Sequence, residues 1–251
     1  MLLNEATTLY TPRLVLRPYR RWHVPQYHAW MEDPTVREQT ASERLSMQEE
    51  EEMQQSWRLD EDKLTFIVHL RSPTAPSPET DPTGFLRAHN DASTMLGDVN
   101  LFLHSSVESD SDEDDEARAV APLDEPTRRQ PPRATTLAEL EIMLPTTPTS
   151  LYRPRTGLAL ETLHAFVAYA QRHLELAPSQ FIAKIGFDNL PSLALFRKLG
   201  FVETKRVEVF REVEMGWPTG TDESTSQGRW SWEGQGWELG VLDDPRNPET
   251  D

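Results

Sequence analysis

The chain has 251 residues, 25 of them Lys or Arg and 42 Asp or Glu, for a formal net charge of -17. That balance argues against nucleic-acid binding, which needs a basic stripe, and the absence of cysteine excludes disulfides, zinc-thiolate sites and a cysteine nucleophile. With 37% hydrophobic residues and 20 prolines, one modest core with polar additions is expected. The start, Met1-Leu2-Leu3-Asn4-Glu5, has no basic region ahead of an apolar stretch, so no secretory signal is expected. No apolar run has the length of a membrane span. The expectation is a soluble cytoplasmic protein, with the nucleus as a second compartment, and an acidic surface that favours basic peptides or proteins.

In chain order, Leu14 to Arg17 alternates as a short strand does. Val24, Tyr27, Trp30 and Met31 recur at helical spacing and stop before Pro34. Ser46-Met47-Gln48-Glu49 is a capping-box pattern that announces a second helix. The acids Glu49 to Glu52 then fall in its first turn, where negative charge suits the helix dipole. Leu64 to Leu70 and Leu96 to Leu103 read as buried strands. The Pro-, Ser- and Thr-rich stretch between them, about residues 72–94, is expected to be a flexible loop. A second polar insertion, about 105–133, carries the acidic run Glu108 to Glu116 and is expected to be disordered.

Leu137 to Leu144 alternates without a break, with Ala138, Leu140, Ile142 and Leu144 on one face and Leu137, Glu139, Glu141 and Met143 on the other. Gly157 precedes a helical stripe of Leu163, Phe166, Val167, Ala170 and Leu174. Phe181 to Ile185 reads as a strand. Asn189 caps a short helix with Pro191 in its first turn, and Gly200 closes it. Two final strands occupy Val202 to Lys205 and Val207 to Met215. The order predicts a mixed α/β sheet (α+β), neither a doubly wound fold nor a barrel. The domain is expected over residues 1–216, followed by an irregular tail, 217–251, that carries Trp230, Trp232 and Trp237.

Two segments resemble the GNAT acyltransferase superfamily. One is the strand Leu137–Leu144, a loop, and Gly157-Leu158-Ala159 opening a helix; it is similar to that family's acetyl-CoA loop. The other is Asn189-Leu190-Pro191-Ser192 running to Phe196-Arg197-Lys198-Leu199-Gly200-Phe201. The opening Thr11-Pro12-Arg13-Leu14-Val15-Leu16-Arg17-Pro18, with Tyr27–Met31, Leu64–Val68, Gly97–Phe102, Ala183–Gly186 and Val209–Val213, narrows the resemblance to the N-acetyltransferase 9-like branch. The resemblance implies a GNAT-type fold and transfer of an acetyl group from acetyl-CoA to an amine of a protein or peptide, without a metal. A non-catalytic interaction protein on the same scaffold is the alternative.

By the same resemblance, the cofactor would lie against Ile142, Met143 and Leu144, against the loop Arg153, Arg155, Thr156, Gly157, Leu158 and Ala159, and near Asn189 and Phe196. Helix N-terminal N–H groups bind a diphosphate without needing a lysine. A backbone N–H near Ile142 or Met143 would polarise the thioester carbonyl. Glu139 and Glu141 share a strand face and are the candidates for the base that accepts the amine proton; both also fit as solvated outward positions. Two departures stand out. Pro154 occupies the place of the loop's leading Arg or Gln, and Phe196 the place where many members carry a proton-donating tyrosine.

Overall fold

The computed structural model describes residues 1–106, 135–146, 151–218 and 239–243. Strand β1 (Thr7–Tyr10) turns through Thr11 into β2 (Leu14–Pro18), with Leu9 opposite Leu16. Three helices follow: α1 (Val24–Met31), α2 (Pro34–Gln39) and α3 (Met47–Leu59). Asp33 starts α2 by accepting the Thr35 N–H at 2.8 Å. The capping box of α3 forms as its sequence requires, with the Ser46 N–H on the Glu49 carboxylate at 2.7 Å and the Glu49 N–H on Ser46 Oγ at 3.3 Å.

Strand β3 (Lys63–Leu70) leads through helix α4 (Pro82–Arg87) to β4 (Met95–Ser106), and β5 is Thr135–Met143. Then come helix α5 (Leu158–Leu174), β6 (Phe181–Gly186), helix α6 (Leu190–Leu199), β7 (Val202–Val207), β8 (Glu212–Gly216) and β9 (Gly240–Asp243). The strands form one sheet in the order β7-β8-β6-β5-β4-β3-β2-β1-β9. Neighbours pair antiparallel except β5 with β6, which run parallel.

Alternation along the strands divides the core. Leu64, Phe66, Val68, Leu101, Ala138 and Leu140 pack with Leu163, Phe166 and Val167 of α5 and with Leu193 and Phe196 of α6. Phe66 meets Phe166 and Tyr169 edge-on at 6.1 and 5.5 Å. Each such fully buried ring stabilises by about 2–3 kcal/mol. On the other face Ile67, Met95 and Met143 pack with Val24, Tyr27, Trp30 and Met31 of α1. The two-residue period of β5 thus sends Leu140 into the core and Glu139 and Glu141 to the α1–α3 side.

Two expectations are corrected. Residues 72–94 hold a helix rather than a flexible loop. Asp81 caps α4 through the Gly84 N–H at 2.8 Å, and Phe85 and Leu86 are buried beside Val15. The buried Arg17 secures this unit by donating to the carbonyls of Leu86 and His89, both at 3.3 Å. A short helix with few apolar residues and a Pro and Gly in it leaves little periodic signal. Residues 240–243, expected within the irregular tail, form β9 on β1, with Leu242 opposite Thr8. The acidic run Glu108–Glu116 and Trp230, Trp232 and Trp237 lie outside the described residues.

Candidate active site

β5 pairs with β4 along its whole length, from Thr135 opposite Ser106 to Met143 opposite Asp98. With β6 it pairs only at Ala138–Phe181 and Glu139–Ile182. Beyond Glu139 the two parallel strands separate, and a cleft of about 530 Å³ opens between them. Its walls are the end of α2, the start of α6 and the β7–β8 turn; its floor is Asp98, Asn100 and residues 139–143. Met143 turns its backbone toward β4, because its carbonyl oxygen lies against Gly97, closer than any Cβ there would tolerate, and its N–H against the Asp98 carboxylate. Strand alternation then turns the Ile142 N–H to the open, unpaired side.

The two glutamates of β5 sit on one face in unlike surroundings. Glu139 is buried and accepts Lys184 Nζ at 2.6 Å and His104 Nε2 at 3.1 Å. Glu141 opens to the solvent of the cleft but is crowded by protein around it. That crowding, then the negative charges of Asp98 and Glu139, push its pKa up to about 7, against a smaller pull from Lys184. Asp98, buried at the floor, rises to about 6, because burial outweighs the donors Asn100, Tyr27 and the Met143 N–H. Asn100 Nδ2 reaches Asp98 Oδ2 at 2.9 Å. Burial holds the Tyr27 phenol protonated far above its ordinary value, so it serves Asp98 as a donor.

The residues expected to form the cofactor loop lie apart from that cavity, at the N-terminus of α5. Arg153, Pro154, Arg155 and Thr156 are exposed. Arg155 and Gly157 are left-handed, at φ 65° and 82°, and Thr156 Oγ1 closes the turn on the Arg153 carbonyl at 2.8 Å. Gly157 offers no side chain to cap α5, so the first-turn N–H groups are available to an external anion. The structure thus gathers Glu139, Glu141, Ile142, Met143, Asn189 and Phe196 at the cleft and places Arg153 to Ala159 at the helix end. Leu144 lies outside the cleft lining and packs, partly buried, against the main core. Asn189 caps α6 through the Ser192 N–H at 3.2 Å, and Phe196 is buried edge-on to Phe201 at 5.3 Å.

A family model described as "Acetyltransferase (GNAT) domain" matches residues 13–202. The chain belongs to the GNAT acetyltransferase family. As a member it is an acetyltransferase. An "Alpha/beta-tubulin-N-acetyltransferase 9" of Drosophila melanogaster is 39% identical over 222 residues, 88% of this chain and 92% of its own. An "N-acetyltransferase 9-like protein" of Nematostella vectensis is 39% identical over 215 residues, 86% of this chain and 87% of its own. The Homo sapiens protein bearing the tubulin-acetyltransferase name is 34% identical over 216 residues, 86% of this chain and 84% of its own. Among solved structures, a Vibrio cholerae spermidine N-acetyltransferase in complex with CoA and spermine superposes at TM-score 0.51 and 17% identity, covering 80% of this chain and 92% of its own. At that identity the likeness bears on the fold.

For this GNAT chain, the sequence singled out the two glutamates and the loop as candidates but did not single out Asp98, Tyr27 and Lys184, which line the same cleft as the glutamates. The signal for Asp98 was present: Asp98 and Asn100 interrupt an otherwise apolar strand at the period of one face. Buried polar residues in a strand need a reason, and here the reason is the floor of the cleft. Lys184 likewise sits on the cleft face of β6, between buried Ala183 and Ile185.

Proposed function

We propose that the cleft moves an acetyl group from acetyl-CoA to a primary amine of a protein, with tubulin as the first acceptor to test. The observation that carries the reading is Glu141 beside the unpaired edge of β5, where a carboxyl that is half ionised near neutral pH faces open space. A base poised near the working pH combines a deprotonated fraction with enough basicity to accept a proton. Asp98, Glu139 and Glu141 surround one end of the cleft, a setting that attracts an ammonium group. The names of the Drosophila and human relatives supply the choice of tubulin.

In this reading the first-turn N–H groups of α5, with Gly157 allowing close approach, hold the diphosphate of acetyl-CoA, which supplies the activated acetyl group. The Ile142 N–H faces the position of the thioester carbonyl and stabilises the charge that grows on its oxygen. Of the two candidates Ile142 is preferred, since Met143 is committed to β4. Glu141 takes the amine proton as the C–N bond forms. Glu139, already paired with Lys184, is a poor acceptor and serves instead to raise Glu141. Phe196 has no proton to give, so the leaving thiolate departs without help from that position; a thiolate is stable enough for this. Titration of the protein with acetyl-CoA in a calorimeter, followed by thiol-release assays with purified αβ-tubulin, tests the proposal. Saturable binding and acceptor-dependent thiol release are expected. Folded protein that gives no binding heat at several temperatures would favour the non-catalytic scaffold.

A further inference from the structure

The opening segment Thr11-Pro12-Arg13 has no part in the chemistry above, yet it meets the first turn of α5 through several direct bonds to one carboxylate. Glu161, in the first turn of α5, is completely buried. Its carboxylate accepts Thr11 Oγ1 at 2.5 Å, the Arg13 N–H at 3.3 Å, Arg13 Nε at 2.6 Å and Arg13 Nη2 at 2.5 Å. Arg13 Nη1 reaches on to the Thr156 carbonyl at 2.8 Å. The turn that carries these donors is itself fixed, since the Arg71 N–H bonds the Arg13 carbonyl at 2.8 Å and the Arg71 side chain bonds the Thr11 carbonyl at 2.9 Å.

A carboxylate buried without partners costs far more than it returns, so a sequence that buries Glu161 has to bring donors to it. What those donors also do is orient a peptide. The Thr156 carbonyl and the Gly157 N–H belong to one trans peptide plane and point in opposite directions. Holding the carbonyl against Arg13 therefore fixes the Gly157 N–H on the side of the peptide opposite Arg13. We propose that Thr11, Arg13 and Glu161 form a clamp that aims the N–H groups of residues 157–159, making Arg13 a positioning residue for acetyl-CoA. The proposal rests on the acetyl-CoA site put forward above. It gives the loop a means of staying in register despite Pro154. Three of the five guanidinium N–H groups are committed to Glu161 and Thr156, and Glu161 cancels the charge, so shape rather than charge is what Arg13 contributes.

The test compares wild type, Arg13→Gln, Arg13→Lys and the milder Thr11→Val, each checked for folding by circular dichroism. Calorimetric affinity for acetyl-CoA is expected to fall about tenfold in both Arg13 variants and about threefold in Thr11→Val, the scale of losing one charge-assisted bond or part of one. With tubulin as acceptor, the KM for acetyl-CoA rises while kcat at saturation changes less than about twofold. Amide exchange over residues 161–164, the first hydrogen-bonded amides of α5, measured with no ligand, speeds up in every variant. Unchanged exchange in folded Arg13→Gln would overturn the clamp, as would full rescue by Arg13→Lys, which restores charge without the fork. Should Arg13→Gln fail to fold, Thr11→Val decides by the same exchange readout. Wild-type protein that binds no acetyl-CoA would sink the cofactor reading, whereas the exchange result judges the clamp separately.

Discussion

On the side of the cleft proposed to take the acceptor, Asp98, Glu139 and Glu141 crowd one sheet face; burial drives Asp98 toward neutrality, and burial with the charges of Asp98 and Glu139 drives Glu141 the same way. On the side proposed for the cofactor the charges are matched instead: Glu161 is fully paired, and the groups on offer are backbone N–H donors. The difference follows from the tasks. Taking a proton from an ammonium needs a group whose charge state is undecided near neutral pH, while gripping a diphosphate needs donors that never change state. The largest test of this contrast is Glu141→Gln, which keeps the shape and removes the base. It should lower kcat/KM for acetylation by about 10²–10³-fold and leave acetyl-CoA affinity nearly untouched. An equal loss in Glu139→Gln would erase the distinction between the two glutamates.

Gly157→Val is the corresponding test on the cofactor side. At φ 82° a β-branched residue is strained, although the space is open enough, since a Cβ there would meet Arg13 Nη2 at an ordinary 3.5 Å. The loop has to adopt another backbone conformation and its N–H groups lose their aim. Acetyl-CoA binding should weaken about 30-fold, a cost of about 2 kcal/mol drawn from left-handed strain. Calorimetry measures it directly, and wild-type affinity would show that the left-handed turn is unimportant.

These contrasts were unevenly legible in the sequence. The alternation of residues 137–144, the helical stripe of α5 and the Asn189 and Gly200 caps were readable because local patterning and tertiary burial agree there. So was the sharing of one face by Glu139 and Glu141. Which of them is unpaired was not, because Lys184 and His104 arrive from other strands. The link from Arg13 to Glu161 spans 148 residues, and no local pattern announces a contact of that range. Helix α4 was hidden by its own composition, and β9 by the polar stretch that precedes it.

The pH dependence sharpens the acceptor side. Glu141 acts as a base only when ionised, so kcat/KM should rise with pH through an acid limb near pH 7. Removing the Asp98 charge removes one of the causes that raise Glu141; Asp98→Asn should therefore move the limb to lower pH, leaving up to a few-fold more activity at about pH 6 relative to the plateau. Stability supplies an independent sign. Asp98 has a folded-state pKa near 6 against an ordinary 3.8, so its protonated form favours folding below about pH 4, and that contribution is lost as pH rises through about 6. Asp98→Asn should then gain about 2–3 kcal/mol relative to wild type between pH 4 and pH 8. Chemical denaturation at the two pH values measures it; a difference that is the same at both would show that the carboxyl is unperturbed.

The smallest expected effect concerns the cleft's rim. At the β7–β8 turn Phe210 is 72% exposed while lining the cleft, and its neighbour Val209 is 87% exposed. The turn is nevertheless fixed. The Arg211 N–H returns to the Glu208 carbonyl at 3.1 Å, and the Phe187 N–H bonds the Arg211 carbonyl at 2.8 Å. The Arg211 side chain also pairs with Asp188 at 2.9 Å. A large apolar ring held out at the mouth of an acidic cleft can cover apolar surface beside an acceptor amine, which the carboxylates below it cannot do. Phe210→Ala should raise the KM for tubulin about threefold, the worth of a partly buried ring, with the KM for acetyl-CoA unchanged. If both constants moved together, the rim and the cofactor loop would be coupled, and the division of labour across the cleft would have to be redrawn.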